Sequence, residues 1–279
     1  MNDNKGKNIQ WYMLAVMAFS TVWGFGNIIN GFVYFNGMQV IFSWIMMFGL
    51  YFIPYTLMVG ELGSTFRHSG GGVSSWIHGT IGAKCAYYAG WTYWACHVTY
   101  IASKGSGALK ALSWLIFQNG STYDTLPTTW IQLATLNPLK KLATIAGTSI
   151  FIMSLLYILL MFAAPALNPG ASYVKADVSL QTMIPQFNVG YFTSLSILVF
   201  AVGGCEKISP YVNKMKDPAK CFPKGMIALA VMVMTCAFLG TMAMSRMFDP
   251  AVINESKESF NSYVSNGGYW ELKLSLLSL

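Results

Sequence analysis

Two glycine-centred stretches carry the residues whose types and spacing could do chemistry: Trp23-Gly24-Phe25-Gly26-Asn27 and Phe200-Ala201-Val202-Gly203-Gly204-Cys205-Glu206. Both interrupt long apolar runs, and glycine, a weak helix former, lets a helix unwind locally. Hydrocarbon cannot satisfy the backbone groups that an unwound turn frees, so at membrane depth such a turn lines a cavity or faces protein. Freed N–H groups at the start of the next half-helix, aided by the positive end of its dipole, suit a carboxylate. The alternative reading is close packing of helices through small residues.

Ionisable side chains inside apolar runs are costly and commonly functional. Lys104 stands out: it is either a charge partner within the membrane or a lysine that snorkels to the outer interface, as Lys110 is expected to do. His97 could relay protons or sit as a hydrogen-bonded interior residue. Glu61 ends the second apolar run, where it could pair with a base at the cytoplasmic mouth or be an ordinary interfacial charge, and Glu206 directly follows the paired glycines.

Other chemistries fit poorly. Three scattered histidines and no paired carboxylates argue against a membrane-embedded enzyme. The loop Ser69 to Trp76, with Gly70-Gly71-Gly72, has no lysine after its glycines and no strand before it, which argues against a phosphate cradle. Cys85, Cys96, Cys205, Cys221 and Cys236 form no CxxC pair, so neither zinc nor disulfides are implied, and no metal or cofactor is expected. The net charge of +7 is spread over short loops, a membrane-orientation pattern and not a nucleic-acid surface.

The elements that must position these residues are transmembrane helices. The 279-residue chain is 54% hydrophobic and 10% charged, against a soluble norm of about 25% charged. From Asn8 to Gly60 there is no Asp, Glu, Lys or Arg, enough for two crossings of about 20 residues each. The first run is too long and lacks the cleavage site of a signal peptide, so it is expected to be retained. An all-α, polytopic fold follows, one transmembrane domain over 1–279 with spans at about 11–35, 38–60, 85–112, 142–167, 189–208 and 225–245.

Lys5 and Lys7, Arg67 and Lys84, Lys140 and Lys141, and the five lysines from Lys207 to Lys224 should all be cytoplasmic, which places the N-terminus inside the cell. Two cytoplasmic points are joined by an even number of crossings, yet only one good span lies between Lys84 and Lys140. Residues 129–136 would rise only about 12 Å as a helix, against a core of about 30 Å, and are expected to be the remnant of a shortened fourth helix. Asp249 to Gly268 reads as an exposed loop and Leu272 to Leu279 as an apolar stub.

Several separated stretches now resemble a known family. Val22 to Ile28 with its Gly-x-Gly, Glu61-Leu62-Gly63 running into Gly70-Gly71-Gly72 and Trp76, Gly90-Trp91, Phe200 to Glu206, and Lys214 to Pro223 are similar to the amino acid-polyamine-organocation permeases. The likeness is to the subgroup of glutamate:GABA antiporters and YjeM-like transporters. It covers roughly the first seven helices of the family's fold, less most of the fourth. It implies a partial LeuT-like fold in which broken first and sixth helices hold the substrate while the scaffold rocks between inward and outward states.

By the resemblance, Thr21, Gly24, Phe25, Gly26 and Asn27 with Phe200, Ala201, Val202 and Gly203 would bind substrate. Gly24, Phe25 and Gly26 would offer backbone donors to a carboxylate, Ala201, Val202 and Gly203 carbonyls to an ammonium, and Phe200 an aromatic gate. Phe25 and Ala201 stand where relatives often carry small polar residues, so hydrogen bonding there falls to the main chain. Lys104, Glu206, Glu61 and His97 are the candidate gating or coupling residues. The implied function is secondary active transport of an amino acid or its derivative across a bacterial inner membrane, by permease or antiport, with proton coupling and a homo-oligomer as partners to consider. A non-transporting remnant of such a permease is the alternative.

Overall fold

The charge-free stretch up to Gly60 folds, in the computed structural model, into three helices broken where glycine permits it: α1 (Trp11–Val22), α2 (Gly26–Tyr34) and α3 (Gln39–Thr65). The structure describes residues 9–70, 72–97, 139–169 and 179–246, and for 139–147 the course of the helix alone. After α3 come α4 (Val73–Thr80), α5 (83–97), α6 (Leu139–Leu167), the single turn α7 (Leu180–Met183), α8 (Val189–Val202), a 3-10 segment (Cys205–Lys214) and α9 (Pro218–Ser245). No strand is present among the described residues beyond a lone parallel bridge between Ile9 and Met215.

Among the described residues, four stretches are long and apolar enough to cross a membrane: Gln39–Thr65, Thr148–Leu167, Val189–Lys214 and Pro218–Ser245. α1 and α2 make a fifth, bent by 46° at the break between them. The protein is therefore an all-helical, multi-pass membrane protein.

Local chemistry sets the ends and bends. The reversal between α2 and α3 uses Asn36 at φ 53° and Gly37 at φ 82°, a left-handed pair that most side chains resist. Within α3, Phe48–Phe52 winds as a π-turn just ahead of Pro54, whose ring and missing N–H disturb the ladder behind it. α3 runs on to Thr65, so Glu61 lies inside the helix and does not end it. α9 starts at Pro218, where a fixed φ suits the first helical position, and not at Gly225 as hydropathy alone suggests.

α1 occupies the middle of the bundle. Leu14, Ala18 and Phe19 are fully buried, Phe19 meets Phe151 of α6 edge-on at 5.2 Å, and Leu14 closes on Gly225 of α9. Glycines let α3 and α9 approach: the Phe222 ring fills the space a side chain at Gly63 would take, and Pro223 faces Gly60. Such contacts replace the hydrophobic drive that is absent between helices in lipid.

The lysine-bearing segments gather at one end. Ile9 bridges Met215, Gly70 lies against Asn213 and Gly72 against Ser209. At the other end Arg246 stacks on Phe162 at 5.6 Å, and Tyr34 to Gln39 adjoin Asn188 to Ser194. α5 and α6 both start from the lysine-bearing end, which is the parity behind the expectation of a shortened fourth helix. Residues 129–136 lie outside the described residues, as do Lys104, Lys110 and everything after Arg246.

Candidate functional site

At the first break, the Trp23 N–H still donates to Phe19 O at 2.8 Å, but Trp23 itself is extended (φ −105°, ψ 138°). The chain re-enters a helix through Asn27 N–H to Gly24 O at 2.9 Å and Ile28 N–H to Phe25 O at 3.0 Å. Of the leading N–H groups of α2, those of Asn27 and Ile28 are taken up by this turn, and that of Gly26 has no acceptor within the helix. A side chain on Gly24 would meet nothing within 4 Å, so the space over this turn is open.

The second break is built differently. The Gly203 N–H donates to Val199 O at 3.0 Å, and Gly204 then turns left-handed at φ 107°, a conformation natural to glycine alone. The chain resumes as a 3-10 segment with Lys207 N–H to Gly204 O at 3.2 Å.

Side chains from the first break tie it to the second. Thr21 Oγ1 donates to Ala18 O at 2.8 Å and lies 3.3 Å from Gly204 O, while Asn27 Nδ2 donates to Ala201 O at 2.9 Å. Between the breaks lies a cavity of about 460 Å³, bordered by Thr21, Gly24, Asn27, Phe200 and Gly203 among others.

A second cavity, of about 310 Å³, adjoins it toward the lysine-bearing end and is lined by Glu206 and Tyr93. His97 and Lys207 line both cavities. The Glu206 carboxylate accepts from the Tyr55 hydroxyl on one oxygen and from the Tyr93 hydroxyl, at 3.3 Å, on the other. His97 stacks on Tyr93 with ring centroids 4.1 Å apart, and its Nδ1 is 2.7 Å from Tyr93 O. The second broken span is thereby linked through Glu206 to α3 and α5.

The structure gathers Thr21, Gly24, Asn27, Phe200, Gly203 and His97 around the larger cavity. Phe25 points away, buried against Tyr157 at 5.2 Å, so only its main chain could serve a ligand. Gly26 is buried at the head of α2 and Val202 at the end of α8. The Ala201 carbonyl is engaged by Asn27. Phe200 stands at the rim, 87% exposed. Glu206 borders the inner cavity, and Glu61 is exposed on α3, its carbonyl accepting from Ser64.

A family model described as amino acid permease matches residues 9–268. The chain belongs to that family. Among curated relatives, it is 45% identical over 257 residues to the aspartate/glutamate permease AcaP of Lactococcus lactis subsp. cremoris, a match that covers 87% of this chain and 52% of the relative. It is 26% identical over 245 residues to the inner membrane transporter YjeM of Salmonella typhimurium, covering 79% of this chain and 48% of the relative. With the probable agmatine/putrescine antiporter AguD of Lactococcus lactis subsp. lactis it shares 26% over 217 residues, 72% of this chain and 45% of the relative. The chain spans about half the length of the curated relatives it matches. No solved structure matches it.

Four residues at or beside the two cavities have roles that a reading of the sequence does not assign: Tyr55, which reaches Glu206, with Tyr93, Trp23 and Lys207. A carboxylate inside an apolar span demands donors, and tyrosines at mid-span on neighbouring helices were the available signal. Trp23 is 3% exposed, and its Nε1 finds no hydrogen-bond partner beside the larger cavity. Lys207 counts in the sequence as one of five loop lysines, whereas it belongs to the first turn after the break.

Proposed function

We propose that the permease is a secondary transporter that holds an α-amino acid in the cavity between its two broken spans. The observation that carries this reading is the pair of ties across the cavity, Asn27 to Ala201 and Thr21 to Gly204, which fix two unwound turns face to face. The start of α2 is suited to a substrate carboxylate and the end of α8 to its ammonium, because the helix dipoles put partial positive and negative charge there.

AcaP is named for aspartate and glutamate, and its 45% identity favours an acidic substrate over the diamines named for AguD. The lysine-bearing end is taken as cytoplasmic, with the N-terminus on the inner side of the cell membrane. Glu206, clasped by Tyr55 and Tyr93, is read as closing the cytoplasmic side, and with His97 it is the group through which a proton could couple to transport. Transport as a homo-oligomer belongs to the same proposal.

Reconstitution of the 279-residue chain in liposomes tests the reading, by uptake of labelled glutamate, GABA and a neutral amino-acid mixture against a pH gradient. Saturable uptake is expected in the parent, and none in Gly24→Leu, whose side chain would enter open space and fill the cavity without disturbing the packing. Inserted, folded protein with no uptake would overturn it in favour of a non-transporting remnant.

A further inference from the structure

Lys207 combines three features that bear on what the cavity accepts. It is half-buried in the first turn after the second break, and it lines both cavities. Its stem folds back over Gly204, where a Cβ would stand 3.1 Å from both Cε and Nζ. The glycine at 204 thus serves the left-handed turn and also leaves room for the ammonium to reach the break.

The charge pattern around it is one-sided. Among the described residues lining the larger cavity, Lys207 is the only one with a fixed positive charge, and none is a carboxylate. The adjacent carboxylate, Glu206, borders the inner cavity with both oxygens in hydrogen bonds to tyrosine. A second negative charge on a ligand in this cavity therefore comes within reach of the Lys207 cation and of no carboxylate among the described lining residues.

We propose that Lys207 is the specificity-determining residue for a substrate with two carboxylates: the α-carboxylate lies at the start of α2 and the side-chain carboxylate meets the Lys207 ammonium. This rests on the cavity being the substrate site. A charge-assisted hydrogen bond is roughly twice as strong as a neutral one, so L-aspartate should bind about tenfold or more tighter than L-asparagine, which has nearly the same shape.

The test is ligand binding to the full chain in lipid nanodiscs, using L-aspartate and L-asparagine on the parent, Lys207→Met and Lys207→Arg. The parent should prefer aspartate about tenfold or more, Lys207→Arg should keep the preference, and Lys207→Met should lose it by weakening aspartate far more than asparagine. A Lys207→Met chain that keeps the preference overturns the assignment and leaves the cavity reading intact, as does a parent that binds both ligands alike. If Lys207→Met does not fold, Lys207→Arg decides: loss of the preference with asparagine binding unchanged overturns the proposal. A folded parent that binds neither amino acid overturns this proposal together with the substrate-site reading.

Discussion

Asn27 Nδ2 donates to the carbonyl of Ala201 at 2.9 Å, joining two interrupted spans that are 174 residues apart in sequence. The bond links the first turn of α2 to the last turn of α8, the two half-helix ends that face the cavity. Its strength bears on both stability and binding. Asn27→Val keeps a side chain of similar bulk and leaves the buried Ala201 carbonyl without this donor, which costs about 1–3 kcal/mol. Lower thermal stability in detergent, together with weaker amino-acid binding, is the expected result. Unchanged stability would show that another donor reaches Ala201.

Glu206 and its two hydroxyl partners should behave as one unit. Tyr55→Phe removes a donor from a carboxylate inside the membrane and is expected to destabilise the fold by about 1–3 kcal/mol. The same change made on Glu206→Gln should cost less, because the charge-assisted component is already gone. A double-mutant cycle measures the difference, expected at about 0.5–3 kcal/mol. Additive effects would mean that the tyrosine and the carboxylate do not interact in solution.

Gly63 is the seat of Phe222. A methyl group added there would lie within the fully buried Phe222 ring, and overpacking of this kind costs about 1–3 kcal/mol. Gly63→Ala should therefore lower the thermal midpoint, and the double variant Gly63→Ala with Phe222→Leu should recover part of the loss. Failure of the smaller side chain to rescue would place the strain elsewhere in the α3–α9 contact.

Cys96 offers a direct probe of the cavity. Its thiol is exposed and lines the larger cavity, whereas Cys205 and Cys236 are buried and Cys85 is exposed near the start of α5. Substrate at saturating concentration should slow maleimide labelling of Cys96 and leave that of Cys85 unchanged. Equal protection of both would indicate a general change of shape, and protection of neither would place the ligand away from Cys96.

The membrane helices were legible because charge-free runs and loop lysines obey solvation, a property of composition. The two breaks were legible because glycine is locally permissive at Gly24, Gly26, Gly203 and Gly204. What the sequence hid depends on rotation about helix axes. Phe25 reads as part of the site by position, yet its ring turns to Tyr157 and leaves the cavity to Trp23 on the other side of Gly24. Tyr55 and Tyr93 are two aromatics among many until Glu206 is placed between them. Lys207 reads as one of a charged loop until the fold returns it to Gly204. Lys104 falls outside the described residues.

The π-turn at Phe48–Phe52 sets the aim of Tyr55. Each residue advances an α-helix by about 100° of rotation, so one extra residue wound into that turn re-phases everything downstream of it by about that angle. With the turn in place, Tyr55 points at Glu206 and Tyr51 stacks beneath it at 5.4 Å. Were the same residues wound as a regular α-helix throughout, the hydroxyl would swing toward a different neighbour without a single substitution. The clasp on Glu206 is thus a matter of helical phase, and one residue added within 48–52 would swing Tyr55 off Glu206 by about 100°, whereas removing the extra residue of the turn would straighten the helix and keep the aim.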